Sequence, residues 1–93
     1  MKLELIFFRD CPHVAQTRSN LYAALTESGI RAPVSEWVQD DPAAPAYARG
    51  YASPTVLVNG RDVSGDAVSS GARSCRIGGA PSTESIRRAI EGQ

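Results

Sequence analysis

The tract Lys2–Phe8, KLELIFF, does most to limit what this chain folds into. Successive side chains of a strand point to opposite faces. Leu3, Leu5 and Phe7 therefore share one face and Ile6 and Phe8 the other, with Glu4 the one polar residue from Leu3 to Phe8. A strand that is apolar on both sides is expected to be central, with covering layers above and below it. An α/β arrangement meets that requirement if the rest of the chain supplies helices and further strands.

It does so in a readable order. Pro12 suits a first helical turn, where its missing N–H is not needed. From Pro12 to Ser28 the positions of Val14, Arg18, Leu21, Tyr22 and Leu25 follow helical spacing, and Gly29 is a fitting stop. Pro33–Val38 reads as a second strand. Asp40-Asp41-Pro42 is expected to cap and begin a short alanine-rich helix reaching about Arg49. Val56 and Val58 lead into Asn59-Gly60, a pair suited to a tight turn with positive φ, and Val63 closes the return strand. Ser64–Pro81 has no period and is rich in Ser and Gly. Thr83–Glu91 reads as a helix with Ser82 as N-cap, Glu84 in the first turn, and Ile86, Ala89 and Ile90 facing inward. The order is β-α-β-(short α)-β-β-α. A strand, crossover helix and strand predict a right-handed parallel unit, to which the hairpin adds an antiparallel pair.

The chain of 93 residues is expected to be one domain, 1–93, with an irregular cysteine-containing loop at 64–81. It is long enough for a core without a metal or disulfide staple. Ten basic and ten acidic residues cancel, which gives no support for a nucleic-acid or acidic-membrane partner. No apolar run approaches membrane-spanning length, and the opening residues lack an export-signal pattern, so a cytoplasmic setting is expected. Cys11 and Cys75 are too few for a secreted disulfide framework, and in a reducing compartment both rest as thiols. His13 is the only histidine, which excludes a local Cys–His zinc cluster. Gly78-Gly79 is no phosphate loop, because it follows no strand and lacks Lys-Ser/Thr. Trp37 and Val34 are expected to pack a sheet face.

The chemistry points to Cys11. It lies between the first strand and the first helix, where unpaired N–H groups and the positive end of the helix dipole favour an anionic thiolate, the nucleophilic form. Protonated His13 would add to this, and Asp10 opposes it. The bland alternative is an inert core cysteine beside a solvated histidine. Read from the residues alone, Pro54 is a trans proline at a strand start. Cys75 lies in an irregular stretch between Arg73 and Arg76, cations that favour a thiolate, or else it is incidental to a polar loop.

Together the element order, CPHV at the strand-to-helix junction and SPT opening the third strand resemble the thioredoxin-like fold superfamily. The resemblance covers Met1 to about Gly65 and resumes at the last helix. It implies an α/β domain with a four-stranded mixed sheet and helices on both faces. It also implies that Cys11 is the nucleophile, adjoined by Pro12 and His13, and that a cis Pro54, with Ser53 and Thr55, positions a partner beside it. The continuation VLVNGRDVSGD is similar to the glutaredoxin branch, in which Gly65 and Asp66 would match part of a glutathione-holding segment. Arg73 and Arg76 are further candidates for contact with a thiol ligand. Val14 stands where thioredoxins carry their second cysteine, so a two-thiol reaction confined to the first helix is excluded.

Three functions follow as alternatives. The first is a thiol–disulfide oxidoreductase or thiol relay in which Cys11 attacks and Cys75 resolves, with a protein or small-molecule thiol or disulfide, glutathione included, as partner. The second is a binding protein for a soft metal or organomercurial held by the two sulfurs. The third is an interaction module that has kept the fold without redox chemistry. No resident cofactor or metal is implied.

Overall fold

The computed structural model describes residues 1–9, 11–51, 53–63 and 81–92. Its elements are β1 (Leu3–Phe7), α1 (Val14–Ser28), β2 (Val34–Val38), a 3-10 helix (Ala46–Gly50), β3 (Thr55–Val58), β4 (Arg61–Asp62) and α2 (Thr83–Glu91). The strands form one mixed sheet in the order β2-β1-β3-β4. β1 pairs parallel to β2, with Leu5 opposite Glu36, and antiparallel to β3, with Leu5 opposite Val56. The strand read as central thus has a hydrogen-bonded neighbour on each side.

Two apolar clusters use the two faces of β1. Leu3, Leu5, Val56 and Val58 pack with Leu21, Ala24 and Leu25 of α1 and with Ile86 and Ile90 of α2. Each large aliphatic side chain buried there contributes roughly 1.5–3 kcal/mol relative to exposure. On the other face Ile6 and Leu57 pack with Ala44 and Ala48, flanked by Trp37 and Tyr51. Both α-helices therefore lie on the Leu3–Leu5 face. Among the described residues the second face carries the 39–51 segment and its 3-10 helix, where an α-helix was expected. Val34 packs against the first cluster and Trp37 against the second.

Local chemistry explains most boundaries. Gly29 ends α1 in the left-handed region at φ 68°, its N–H directed to the carbonyls of Leu25 and Thr26. Asn59 (φ 51°) and Gly60 (φ 83°) both take positive φ and join β3 to β4. Val63 lies just past β4, its N–H donating to the Val56 carbonyl at 3.0 Å. The Ser82 hydroxyl accepts from the Ser85 N–H at 3.1 Å and caps α2.

Two expectations need correction. α1 begins at Val14 with His13 as N-cap, so Pro12 precedes the helix. A proline disfavours helical backbone in the residue before it, here Cys11, and residues 11–14 form a separate turn closed by Val14 N–H to Cys11 C=O at 3.4 Å. The second helix begins at Ala46, well after Asp41. Pro45 keeps Ala44 out of helical backbone in the same way, and the extended Pro45 becomes the N-cap. Asp41 caps no helix; its Oδ1 accepts from the Ala43 N–H at 2.8 Å. Among the described residues no helix is long and apolar enough to cross a membrane.

Candidate functional site

The parallel strands β1 and β2 end at Phe7 and Val38, and β3 begins at Thr55 on the same edge of the sheet. The candidate site is built on that edge. The chain leaves β1 through Phe8 and Arg9 and reaches Cys11, whose N–H donates back to the Phe8 carbonyl at 3.3 Å. The Phe8 N–H donates to Ser53 Oγ at 3.2 Å. Phe8 thus connects the cysteine loop to the start of β3 through its own two backbone groups. The Ser53–Pro54 peptide is cis, in agreement with what the resemblance implies and against the reading from residues alone. Ser53, Pro54 and Thr55 are all buried.

Cys11 is buried, at 7 % exposure. Pro12 is exposed beside it and His13 half-buried. No side chain caps α1, and its first turn holds no acidic residue. The His13 carbonyl accepts from both the N–H (3.0 Å) and the hydroxyl (2.8 Å) of Thr17, which fixes the helix start. One turn further on, Arg18 lies over the Phe7 ring at 5.9 Å. Its guanidinium donates to both carboxylate oxygens of Glu36, at 2.9 and 2.7 Å. That bidentate bond holds the Glu36 carboxyl below its usual range, burial opposing it, and raises the Arg18 value. Arg9 and Asp40 approach to 3.9 Å across the ends of β1 and β2.

Of the residues expected from the sequence, Cys11, Pro12, His13, Ser53, Pro54 and Thr55 fall at this edge. Cys75, Gly65, Asp66, Arg73, Arg76 and Asp10 lie outside the described residues. Among the described residues no group of three or more His, Cys, Asp or Glu side chains is placed to hold a metal.

The sequence reading passed over Gln39. Its N–H donates to the Phe7 carbonyl at 2.8 Å, and its side-chain amide donates to the carbonyls of Ala48 (2.8 Å) and Tyr51 (2.6 Å). One residue thus fastens the end of β1 to the segment that leads into Ser53. A glutamine just after a strand carries no local signal of this, because its burial depends on the 40–51 segment folding back over it.

No protein-family model matches this chain, and neither a curated protein nor a solved structure matches it.

Proposed function

We propose that this chain is a thioredoxin-like thiol–disulfide exchange protein with Cys11 as its nucleophile and Cys75 as its resolving thiol. The observation that carries the reading is the tie Cys11–Phe8–Ser53, which holds the thiol loop against the Pro54 turn at the strand ends. Cys11 lies in the turn just ahead of α1, whose start has no side-chain cap and no acidic residue in its first turn.

In this reading the Cys11 thiolate attacks one sulfur of a partner disulfide. The S–S bond breaks, the departing thiolate takes a proton from water, and Cys11 is left in a mixed disulfide. The Cys75 thiolate then attacks Cys11 Sγ and expels the second partner thiol. The partner gains two electrons and the chain keeps a Cys11–Cys75 disulfide. A small-molecule thiol of the glutathione class, two per turnover, reduces it again.

Chain length permits the second step. Asn20 of α1 donates to the Pro81 carbonyl at 2.8 Å, which anchors the end of the 64–81 connection against the helix. Cys75 lies six positions before Pro81, a stretch that reaches at most about 22 Å, whereas Asn20 lies about 9 Å along the helix from Val14.

Mild oxidation followed by peptide mass mapping tests the proposal. A Cys11–Cys75 disulfide, lost in Cys75→Ser with accumulation of a mixed disulfide on Cys11, is the expected result. Two unmodified thiols after oxidation, or bridges between chains only, would remove the resolving role. Stoichiometric retention of Hg(II) without disulfide reduction would favour two-sulfur metal binding instead.

A further inference from the structure

The opposite end of β1 carries a second feature. A cavity of about 250 Å³ opens on the second face of the sheet, lined by Lys2, Glu4, Tyr47, Tyr51, Leu57 and Gly60. Ligand pockets usually span about 300–1,000 Å³, so this one suits an occupant of few heavy atoms. A carboxylate forms its floor. Glu4 is 1 % exposed, and its Oε2 accepts from Trp37 Nε1 at 2.9 Å and from the Tyr47 hydroxyl. Among the described residues its other oxygen, Oε1, faces only Lys2 Nζ, at 3.8 Å.

A buried carboxylate needs a cation or a full set of donors. Here two neutral donors serve one oxygen and a loosely held ammonium serves the other. That ammonium stands 5.8 Å from the centre of the Tyr47 ring, within cation–π range. The Lys2 side chain is 66 % exposed, yet its backbone is fixed by reciprocal bonds with Asn59, both 2.8 Å. The side chain is therefore able to swing out while the rim stays in place.

We propose that this cavity is a binding site for a small primary alkylammonium ligand. The chain's own Lys2 marks the ligand's position. The incoming ammonium donates to Glu4 Oε1, lies against the Tyr47 ring, and rests its alkyl chain on Leu57 and Tyr51. The site is separate from the cysteine loop and does not depend on the thiol chemistry.

Trp37 is the only tryptophan and its indole N–H bonds to Glu4, so its fluorescence reports on the cavity. The experiment titrates the reduced protein with n-butylammonium chloride, with n-butanol and potassium chloride as controls at matched concentration and ionic strength. A saturable change with the amine alone, in the millimolar range, is expected. Lys2→Met removes the internal competitor and should tighten binding several-fold. Glu4→Gln removes the charge and should weaken it by about tenfold or more, as expected for loss of a charge-assisted hydrogen bond. Tyr47 is 44 % exposed, so Tyr47→Ala keeps the test valid should Glu4→Gln fail to fold, and it too should weaken binding. The proposal is overturned by the absence of a saturable amine response in both the unaltered protein and Lys2→Met. An equal response to butanol or potassium chloride overturns it as well, as does unchanged affinity in a folded Glu4→Gln or in Tyr47→Ala.

Discussion

Gln39 and Glu4 are buried polar side chains that answer different demands. Gln39 is 2 % exposed, and its side-chain amide has the Ala48 and Tyr51 carbonyls as hydrogen-bond partners. Its own Oε1 has none among the described residues, so the residue is retained at a cost. Gln39→Leu strips both carbonyls while removing that one unsatisfied oxygen. A net loss of roughly 2–4 kcal/mol is expected, read as a lower urea midpoint. An unchanged midpoint would show that water replaces the amide at little cost. Glu4 acts through charge. Its hydrogen bond, helped by burial and by its negative charge, pushes the Tyr47 phenol up to about 12. The folded value lies above the unfolded one, so the stability from this contact is fully present below about pH 10 and is lost as pH rises through about 12. Phenolate absorbance during an alkaline titration should show one late tyrosine that disappears in Tyr47→Phe and titrates earlier in Glu4→Gln.

Among the elements, the hairpin and α2 were legible because their signals are local. Asn59-Gly60 takes the backbone its composition implies, and Ser82 caps α2 through its own hydroxyl. A Cβ added at Gly60 would meet nothing within 4 Å, so Gly60→Ala tests the backbone preference by itself. A loss of about 1 kcal/mol is expected in urea unfolding, since the left-handed penalty exceeds the gain from a stiffer unfolded chain. A larger loss would mean that the register of β3 and β4 depends on this turn. α1 and the 3-10 helix both start later than local signals at Pro12 and at Asp41-Pro42 imply, and a proline stands just ahead of each observed start. A proline's fixed φ suits a helix start, but its ring also disfavours helical backbone in the residue before it, here Cys11 and Ala44. The helices consequently start later, and Cys11 sits in a turn two residues ahead of the N-cap.

At the scale of the whole molecule, the two faces of the sheet are covered by unlike layers. α1 and α2 pack against each other and share the Leu3–Leu5 face, whereas a loop with a short 3-10 helix closes the other. The proposed thiol site stands at the edge where β1 and β2 end and β3 begins, and the ammonium cavity stands at the other end of β1. Alternation in KLELIFF, the turn pair, the caps and the helix period act over a few residues, so the sequence by itself determined the order of elements, a central β1 and a cysteine at the junction of β1 and α1. Which face each helix takes, the cis Ser53–Pro54 peptide, the burial of Gln39 and the pairing of Glu4 with Trp37 and Tyr47 were decided only in the tertiary structure. Each of these depends on residues that meet across the sheet from distant parts of the chain. Glu4 shows the difference most plainly. The sequence marked it as the polar residue in an apolar strand, and only the folded 39–51 segment turned that position into a buried carboxylate facing a cavity.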